Sequence, residues 1–176
     1  MFYVSEPVTT APLQFSTELQ RFVYETFAAK GIPFTRVDTD PGLTMEDCQH
    51  IDAKIGVHIV KTIFVCNRQQ TEFYLYVTFD DKPFVTRDFC TALGGIPRVS
   101  FASADKLKEI AGVEVGATTI LSAALPSAQN VHLVMDAAIA QAPEFACTDG
   151  TATCFVKIRT KNLLEKYLAG RTLTII

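Results

Sequence analysis

Ile59-Val60-Lys61-Thr62-Ile63-Phe64-Val65-Cys66 is the stretch of sequence that decides the fold. β-branched and aromatic side chains dominate this segment, a composition typical of a core strand. A second apolar run, Phe73 to Phe79, follows after a polar connection at Asn67 to Gln70. Two strands joined by a short polar connection predict an antiparallel hairpin. We therefore expect this hairpin to form the centre of the sheet.

Lys61 is the anomalous residue of the first strand. Alternate side chains of a strand point to opposite faces, so Lys61 shares a face with Ile59, Ile63 and Val65. An unpaired buried ammonium group is costly, so Lys61 must reach water, a carboxylate or an anionic ligand. The residues alone leave two interpretations open: a lysine near the strand end whose head group extends to solvent, and a lysine that binds a ligand.

Composition narrows the class of protein. The chain has 176 residues, of which 48% are hydrophobic and 20% are charged, as expected for one globular domain. No apolar run approaches the roughly 18 residues of a membrane helix, and the N-terminal residues lack the pattern of a signal peptide. The five cysteines form no C-x-x-C pair, which favours free thiols in a reducing cytosol. We therefore expect a cytoplasmic protein.

The net charge and the spacing of the histidines limit the kinds of ligand that we expect the protein to bind. The net charge of −3 disfavours a protein that coats a nucleic-acid duplex, although a local basic patch is enough to bind one nucleic-acid end. The three histidines His50, His58 and His132 lie far apart in sequence and show no metal-ligand spacing. We therefore expect no metal and no cofactor.

Local signals define several further elements. Thr17 is a predicted N-cap for a helix that ends at Gly31, and Thr44, with Asp47 three residues later, caps a second helix that ends at Gly56. The remaining predictions are a turn over 40–42, strands over 34–38, 99–101, 131–135, 151–159 and 173–176, helices over 86–93, 104–111 and 160–168, a helix or loop over 137–146, and a turn over 147–150. Helices and strands mixed without regular β-α-β alternation indicate an α+β fold. We predict a single domain over 1–176 with a mixed, mainly antiparallel sheet or a barrel-like sheet, surrounded by helices.

Motifs of common enzymes are missing from the chain. It contains no G-x-S-x-G, no Walker loop, no G-x-G-x-x-G and no H-E-x-x-H. Cys147 is a candidate nucleophile or redox thiol, although no histidine adjoins it and a structural thiol is the more common case. Gly116, within the irregular stretch 112–130, either presents backbone N–H groups to a ligand oxygen or forms a plain turn.

Seven segments, taken in order, carry a resemblance to a known family. They are Arg36-Val37-Asp38, Leu43-Thr44-Met45-Glu46, Val60 to Val65, Phe73 to Val77, Val99 to Ser103, Gly112 to Gly116, and Thr151-Ala152-Thr153. Their order and spacing resemble the YbaK / prolyl-tRNA synthetase-associated domain family of trans-editing aminoacyl-tRNA deacylases. The resemblance covers roughly residues 18–170 and implies a YbaK-like editing domain.

The resemblance implies roles for individual residues. Lys61 would be the catalytic residue, in a pocket that takes the terminal adenosine and its esterified amino acid. The substrate-binding residues implied beside it are Thr44, Met45, Val60, Gly116, Ala117, Thr118, Asp149 and Thr151. Hydrolysis in this family is thought to use water, backbone N–H groups and a ribose hydroxyl of the tRNA, so no protein nucleophile and no cofactor are required. Backbone donors near Gly116 would then stabilise the charge on the ester oxygen.

The resemblance also implies a substrate and a partner. The implied activity is hydrolysis of mischarged tRNA in trans, with Ala-tRNA(Pro) as the expected substrate and prolyl-tRNA synthetase as a partner. Two positions depart from the family pattern: Ile120 stands where a proline is common, and 146–150 lacks the histidine of many prolyl-editing members. The alternatives are a Cys-tRNA(Pro) deacylase, a non-catalytic module that binds a tRNA end or nucleotide and is recruited to a synthetase, and a thiol redox protein acting through Cys147.

Overall fold

Two β-sheets form the framework of the computed structural model, which describes residues 1–41 and 43–176. One sheet has five strands in the order β4-β2-β3-β5-β8, and the other has three in the order β1-β7-β6. The strands are β1 (Thr35–Asp38), β2 (Val60–Asn67), β3 (Phe73–Phe79), β4 (Val99–Phe101), β5 (His132–Met135), β6 (Glu144–Thr148), β7 (Cys154–Arg159) and β8 (Leu173–Ile175). The helices are α1 (Glu18–Lys30), α2 (Met45–Ile55), α3 (Thr86–Ala92), α4 (Ala104–Lys106), α5 (Ala137–Gln141) and α6 (Thr160–Asn162).

The predicted hairpin is confirmed as the centre of the larger sheet. β2 and β3 pair antiparallel from Val60↔Phe79 to Cys66↔Phe73, and Lys61 lies opposite Thr78. The pairs β1–β7, β2–β4 and β6–β7 are also antiparallel, whereas β3–β5 and β5–β8 are parallel. The mixed, mainly antiparallel α+β prediction is therefore confirmed. The barrel-like alternative is wrong, because across the described residues the two sheets stay separate and the outer strands β4 and β8 do not pair.

Three apolar clusters show how the layers pack. The largest lies between the two sheets and includes Val60, Leu75 and Leu133 of the five-stranded sheet with Cys147 and Val156 of the three-stranded one. The other two clusters cover the outer faces. One packs α2 against the three-stranded sheet, and the other packs α3 against the face of the five-stranded sheet that carries Ile63, Val65 and Tyr76. Both faces of β2 are therefore buried, as its sequence predicts.

Capping signals place the helix ends as predicted. The Thr17 side chain accepts a hydrogen bond from the Gln20 N–H, and Gly31 ends α1 in the left-handed region with φ 61°. Thr44 and Asp47 form a complete capping box at the start of α2, and Gly56 ends that helix. Local sequence chemistry therefore fixes α2, the helix that precedes β2.

Several predicted elements need correction. Residues 144–148 form β6, so Cys147 and Thr148 lie in a strand, and the predicted turn is shorter. β7 begins at Cys154, since residues 151–153 belong to the connection. The predicted helices over 104–111 and 160–168 begin as α4 and α6 and continue as π-helices over Leu107–Ala111 and Leu163–Tyr167. The turn predicted over 40–42 includes a residue outside the described part of the chain.

None of the helices in the described part of the chain has the length and apolar character needed to span a bilayer.

Candidate functional site

Lys61 lies at the end of the five-stranded sheet, as the second residue of β2. Its Nζ donates hydrogen bonds to the backbone carbonyl oxygens of Asp80, at 3.4 Å, and Lys82. Both carbonyls belong to the turn that follows β3. Lys61 is half-buried. In the described residues, no carboxylate oxygen lies within 4.0 Å of its Nζ atom. The positive charge of Lys61 is thus held by neutral acceptors.

A cluster of charged side chains surrounds the same turn. The Nε2 atom of His58 lies 2.9 Å from Asp80 Oδ1 and 3.5 Å from Asp81 Oδ1. The Nδ1 atom lies 2.6 Å from Oδ2 of Asp52 on α2. The ring also stacks on Phe79, with ring centroids 5.1 Å apart. We call His58, Asp52, Asp80 and Asp81 the His58 cluster. It joins α2, the entry to β2 and the turn that binds Lys61.

The carboxylates of the His58 cluster favour the charged imidazole. Partial burial of the ring acts to lower the pKa of His58, but the hydrogen bond to Asp52 and the negative charge of Asp80 outweigh it, so this pKa is raised above its ordinary value. One donor atom from each of His58, Asp80 and Asp81 lies within 4.8 Å of the others, a set of nitrogen and oxygen atoms of the type that binds metals. In the present arrangement both ring nitrogens already face carboxylates.

Sequence reasoning missed the His58 cluster. The sequence prediction for His58 used only its spacing to other histidines. That spacing does not indicate whether a histidine pairs with carboxylates. The usable signal was the register of the hairpin. Because Val60 pairs with Phe79, residues just before β2 must lie near residues just after β3. That pairing brings His58 next to Asp80 and Asp81.

The Gly116 loop lies on the other side of the sheet from the Lys61 side chain. Ala117 is buried in the core between the sheets, which also contains Val60. Lys61 belongs to the opposite set of β2 side chains, and in the described residues its side-chain hydrogen bonds go to Asp80 and Lys82 of the turn after β3. Gly116 is exposed, with φ 94° and nothing within 4 Å of an added Cβ, so its backbone requires glycine for conformation and not for space.

Backbone donors of this loop are partly used. The N–H of Ala117 donates to the carbonyl oxygen of Glu114 at 3.1 Å, so it is not free for a ligand. In the described part of the chain, the N–H groups of Gly116 and Thr118 donate to no protein acceptor. Gly116 and Thr118 are therefore the residues of the predicted set that offer unused backbone donors.

Asp149 and Thr151 are in direct contact, within a buried polar network. Oδ1 of Asp149 accepts from the Thr151 hydroxyl at 2.7 Å and from the Thr151 N–H at 3.2 Å. Oδ2 accepts from the Gln20 amide at 2.9 Å and the Tyr24 hydroxyl at 2.7 Å. Asp149 is completely buried. Its carboxylate joins α1 to the loop before β7, so its contacts are those of a residue that supports the fold.

Thr44 and Met45 lie at the start of α2, where both are exposed. The hydroxyl of Thr44 accepts from the Asp47 N–H, and the Thr44 N–H donates to the Asp47 carboxylate at 2.8 Å. Among the described residues, neither Thr44 nor Met45 shares a hydrogen bond with Lys61. Met45 has 54% of its surface exposed, which leaves its side chain available to a ligand or partner.

A small cavity of about 200 Å³ lies beside α3. Its walls include the aromatic rings of Tyr76, Phe84 and Phe89, and Lys82 lines its edge. Because the Lys82 carbonyl also accepts the hydrogen bond from Lys61, the cavity and the ammonium group share this turn. Lys61 itself is not among the lining residues.

Cys147 is placed where a reactive thiol is disfavoured. Its Sγ lies 3.5 Å from the Thr119 hydroxyl, and the residue is 1% exposed. Burial raises the pKa of this thiol to about 12, so the thiolate is scarce near neutral pH. These contacts argue against the redox alternative.

We expect Cys147→Ser to retain the activity of the wild-type protein, because no reacting thiolate is available at this position. The same burial predicts that Cys147 in the native protein is not modified by iodoacetamide, as measured by intact-mass spectrometry. Modification should appear only after unfolding in urea, which serves as the positive control. Rapid native labelling together with loss of activity in Cys147→Ser would restore the thiol mechanism.

The family model for the aminoacyl-tRNA editing domain matches residues 39–166, which is most of the chain. The chain belongs to the aminoacyl-tRNA editing domain family. The matched region of this editing domain contains Lys61, the His58 cluster, the Gly116 loop and Asp149, whereas α1 lies outside it. The resemblance inferred from the order of the sequence segments is therefore confirmed.

Individual relatives agree with this assignment. The editing domain is 27% identical over 105 residues to the prolyl-tRNA editing protein ProX of Acetoanaerobium sticklandii. That alignment covers 60% of this chain and 63% of the relative, which is less than two thirds of the relative's own length.

Solved structures share the fold of this editing domain. The hypothetical protein APE2540 superposes with a TM-score of 0.66 at 24% identity, over 87% of this chain and 97% of that one. A protein proposed as a trans-editing enzyme for prolyl tRNA synthetase superposes with a TM-score of 0.65 at 16% identity, over 92% of this chain and 98% of that one. At these identities the likeness concerns the fold.

Proposed function

We propose that this editing domain hydrolyses the ester bond of mischarged aminoacyl-tRNA in trans, with Lys61 as its catalytic residue. The observation that carries the proposal is the half-buried ammonium group within the region matched by the editing family. Its charge is met by two backbone carbonyl oxygens and by no carboxylate in the described residues. An ammonium group in this state is available to an oxygen that becomes negatively charged during a reaction.

The proposed chemistry is attack of water on the ester carbonyl. The carbonyl oxygen gains negative charge in the tetrahedral intermediate, and the ester bond then breaks to release the amino acid and the ribose hydroxyl of the tRNA. Lys61 would stabilise the developing charge. Because the Gly116 loop lies on the other side of the sheet from the Lys61 side chain, its unused N–H groups at Gly116 and Thr118 are proposed to contact a different part of the substrate from Lys61. Val60, Thr44 and Met45 are proposed as bordering residues. Asp149 and Thr151 support the proposed site from within the fold.

The proposed substrate is Ala-tRNA(Pro), and the proposed partner is prolyl-tRNA synthetase. Support comes from the relative named prolyl-tRNA editing protein ProX. A separate editing step is useful because a difference of one methylene in a synthetase pocket discriminates by only about 1–3 kcal/mol. A small acyl group such as alanine is the type of substrate that a second, smaller pocket removes.

Deacylation of a panel of tRNA(Pro) species tests the proposal. The panel carries Ala, Cys, Ser or Pro, and the released amino acid is measured against the uncatalysed loss in buffer. We expect release of Ala, with the cognate Pro left in place. Release of Cys alone would assign the Cys-tRNA(Pro) alternative. Binding of tRNA without release of any amino acid would contradict the enzyme and leave the non-catalytic module.

A further inference from the structure

The turn that binds Lys61 is held in place by an ion-paired imidazole. The Lys82 N–H donates to the Phe79 carbonyl at 3.2 Å, which closes the turn after β3. Asp80 occupies this turn with two roles: its carbonyl accepts from Lys61, and its side chain, 11% exposed, faces His58. One residue of the turn therefore contacts His58 through its side chain and Lys61 through its backbone carbonyl.

His58 anchors this turn to the rest of the fold. Asp52 bonds to His58 Nδ1 through Oδ2 and accepts the Ile59 N–H through Oδ1 at 2.8 Å. The imidazole thus connects α2 and the start of β2 on one side with Asp80 on the other. We propose that His58, in its charged form, is a positioning residue that sets the place of the Lys61 ammonium group through Asp80. The proposal rests on the deacylase function proposed above.

The two carboxylates beside the ring favour protons on both ring nitrogens. Nδ1 faces Asp52 at 2.6 Å and Nε2 faces Asp80 at 2.9 Å, and each carboxylate needs a donor. A neutral imidazole has one proton, so one nitrogen would then present a lone pair to a carboxylate at hydrogen-bond distance. Repulsion at either contact would release the turn, and Lys61 would lose its defined position.

Other titratable and charged groups also face the His58 ring from the elements around it. From the turn, Asp81 adds a third carboxylate at 3.5 Å, with 64% of its side chain exposed. From α2, Cys48 lies beside Asp80 and stays a neutral thiol, because burial first, and the charge of Asp80 second, raise its pKa to about 11. From β2, Lys61 contacts the Asp80 backbone. Histidine is the side chain of this set whose ordinary pKa lies nearest neutral pH.

The direction of the pH effect follows. Because the pKa of His58 is raised, the imidazolium is present below that raised value and disappears as the pH rises through it. Placement of Lys61 is then complete on the acid side and lost on the alkaline side. A one-ångström error in the position of a catalytic group reduces rates by up to about 100-fold, so we expect a clear step in kcat.

The test is the pH profile of kcat and KM for deacylation, measured from about pH 5 to beyond the upper end of the ordinary histidine range because the pKa of His58 is raised, after subtraction of the uncatalysed rate. We expect His58→Gln to lower kcat roughly 10-fold on the acid side, with KM unchanged and the wild-type step absent. His132→Gln is the matched control, since His132 also pairs with a carboxylate, Glu72, and stacks on a ring, Tyr74, at the far end of the hairpin. A wild-type step retained in His58→Gln would overturn the proposal.

Two conservative variants keep the test decisive if His58→Gln does not fold. Asp80→Asn should move the step in kcat to lower pH, because the imidazolium loses the carboxylate at 2.9 Å. Asp81→Asn should move it less, since that carboxylate is farther away and exposed. An unchanged step in Asp80→Asn, or a larger shift in Asp81→Asn, would contradict the role given to His58.

A measurement without substrate separates this inference from the proposed function. The ¹⁵Nζ resonance of Lys61, assigned with Lys61→Met, should follow the titration of His58 in the wild type and not in Asp80→Asn at the same pH. A Lys61 resonance that follows the titration of His58, without any deacylation, would contradict the enzymatic function and support the positioning role. Deacylation together with a Lys61 resonance that does not change as His58 titrates would contradict the positioning role and support the enzymatic function.

Discussion

Lys61→Met is expected to lower kcat/KM for deacylation by at least about 100-fold, the loss seen when one donor to a reacting oxygen is removed. Methionine keeps much of the length of the lysine stem and removes the charge. The half-buried stem can still pack, and the carbonyls of Asp80 and Lys82 lie in a turn that water can reach, so we expect little change in stability. The measurement is single-turnover deacylation alongside urea unfolding of both proteins.

Lys157→Met is a matched control for this prediction. Lys157 also lies on a strand, β7, and is partly buried, with 24% of its side chain exposed. It differs in that its Nζ pairs with the Glu144 carboxylate at 3.2 Å and lies in the other sheet. We expect this variant to keep the wild-type rate. Equal losses in both variants would indicate a general effect of positive charge on tRNA binding, and full activity of Lys61→Met would remove Lys61 from the catalytic role.

Asp149→Ala is expected to destabilise the protein by about 3–4 kcal/mol, through donors left without acceptors in a buried site. The Gln20 amide, the Tyr24 hydroxyl and the Thr151 hydroxyl all donate to this carboxylate. Burial first, and the charge of Asp149 second, raise the pKa of Tyr24 far above its ordinary value, so the phenol stays protonated and remains a donor. The measurement is the free energy of unfolding in urea.

Tyr24→Phe is the companion variant. It removes one donor and leaves the other contacts of Asp149, so we expect a smaller loss of about 1–2 kcal/mol. Any fall in deacylation rate for Asp149→Ala should follow the unfolded fraction, because the carboxylate is completely buried and accepts hydrogen bonds from Gln20, Tyr24 and Thr151. A change below about 1 kcal/mol for Asp149→Ala would contradict this account of the network.

The parts of the fold that sequence predicts best are those fixed by local chemistry. The caps at Thr17 and Thr44 and the glycine ends at Gly31 and Gly56 depend on neighbouring residues, and the structure has them as predicted. The hairpin was predictable because both strands are rich in β-branched and aromatic residues. β6 was missed, since Phe145, Ala146 and Cys147 are all buried and give no alternation of polar and apolar side chains.

The candidate site was less predictable, because its contacts join separate elements. Strand alternation identified Lys61 as unusual, and its backbone partners come from a turn about twenty residues later. Asp149 was predicted to border the substrate, and its Oδ2 accepts hydrogen bonds from Gln20 and Tyr24 of α1, contacts that no local pattern reveals. Such contacts follow from the pairing registers between strands. Of these registers, that of β2 with β3 was the one that the sequence could predict.

The strand pairs differ in how far apart their strands lie along the chain. β2 and β3 are neighbours joined by a short connection, as are β6 and β7, whereas β1 pairs with β7, so the three-stranded sheet is complete only when the first strand meets the last but one. Closing long loops costs entropy before any contact repays it, and such contacts slow folding. The hairpin that carries Lys61 should therefore acquire structure early, and the three-stranded sheet should join it late. Consequently, we expect the candidate catalytic strand of a nascent chain to pair with β3 before β1 finds its partner.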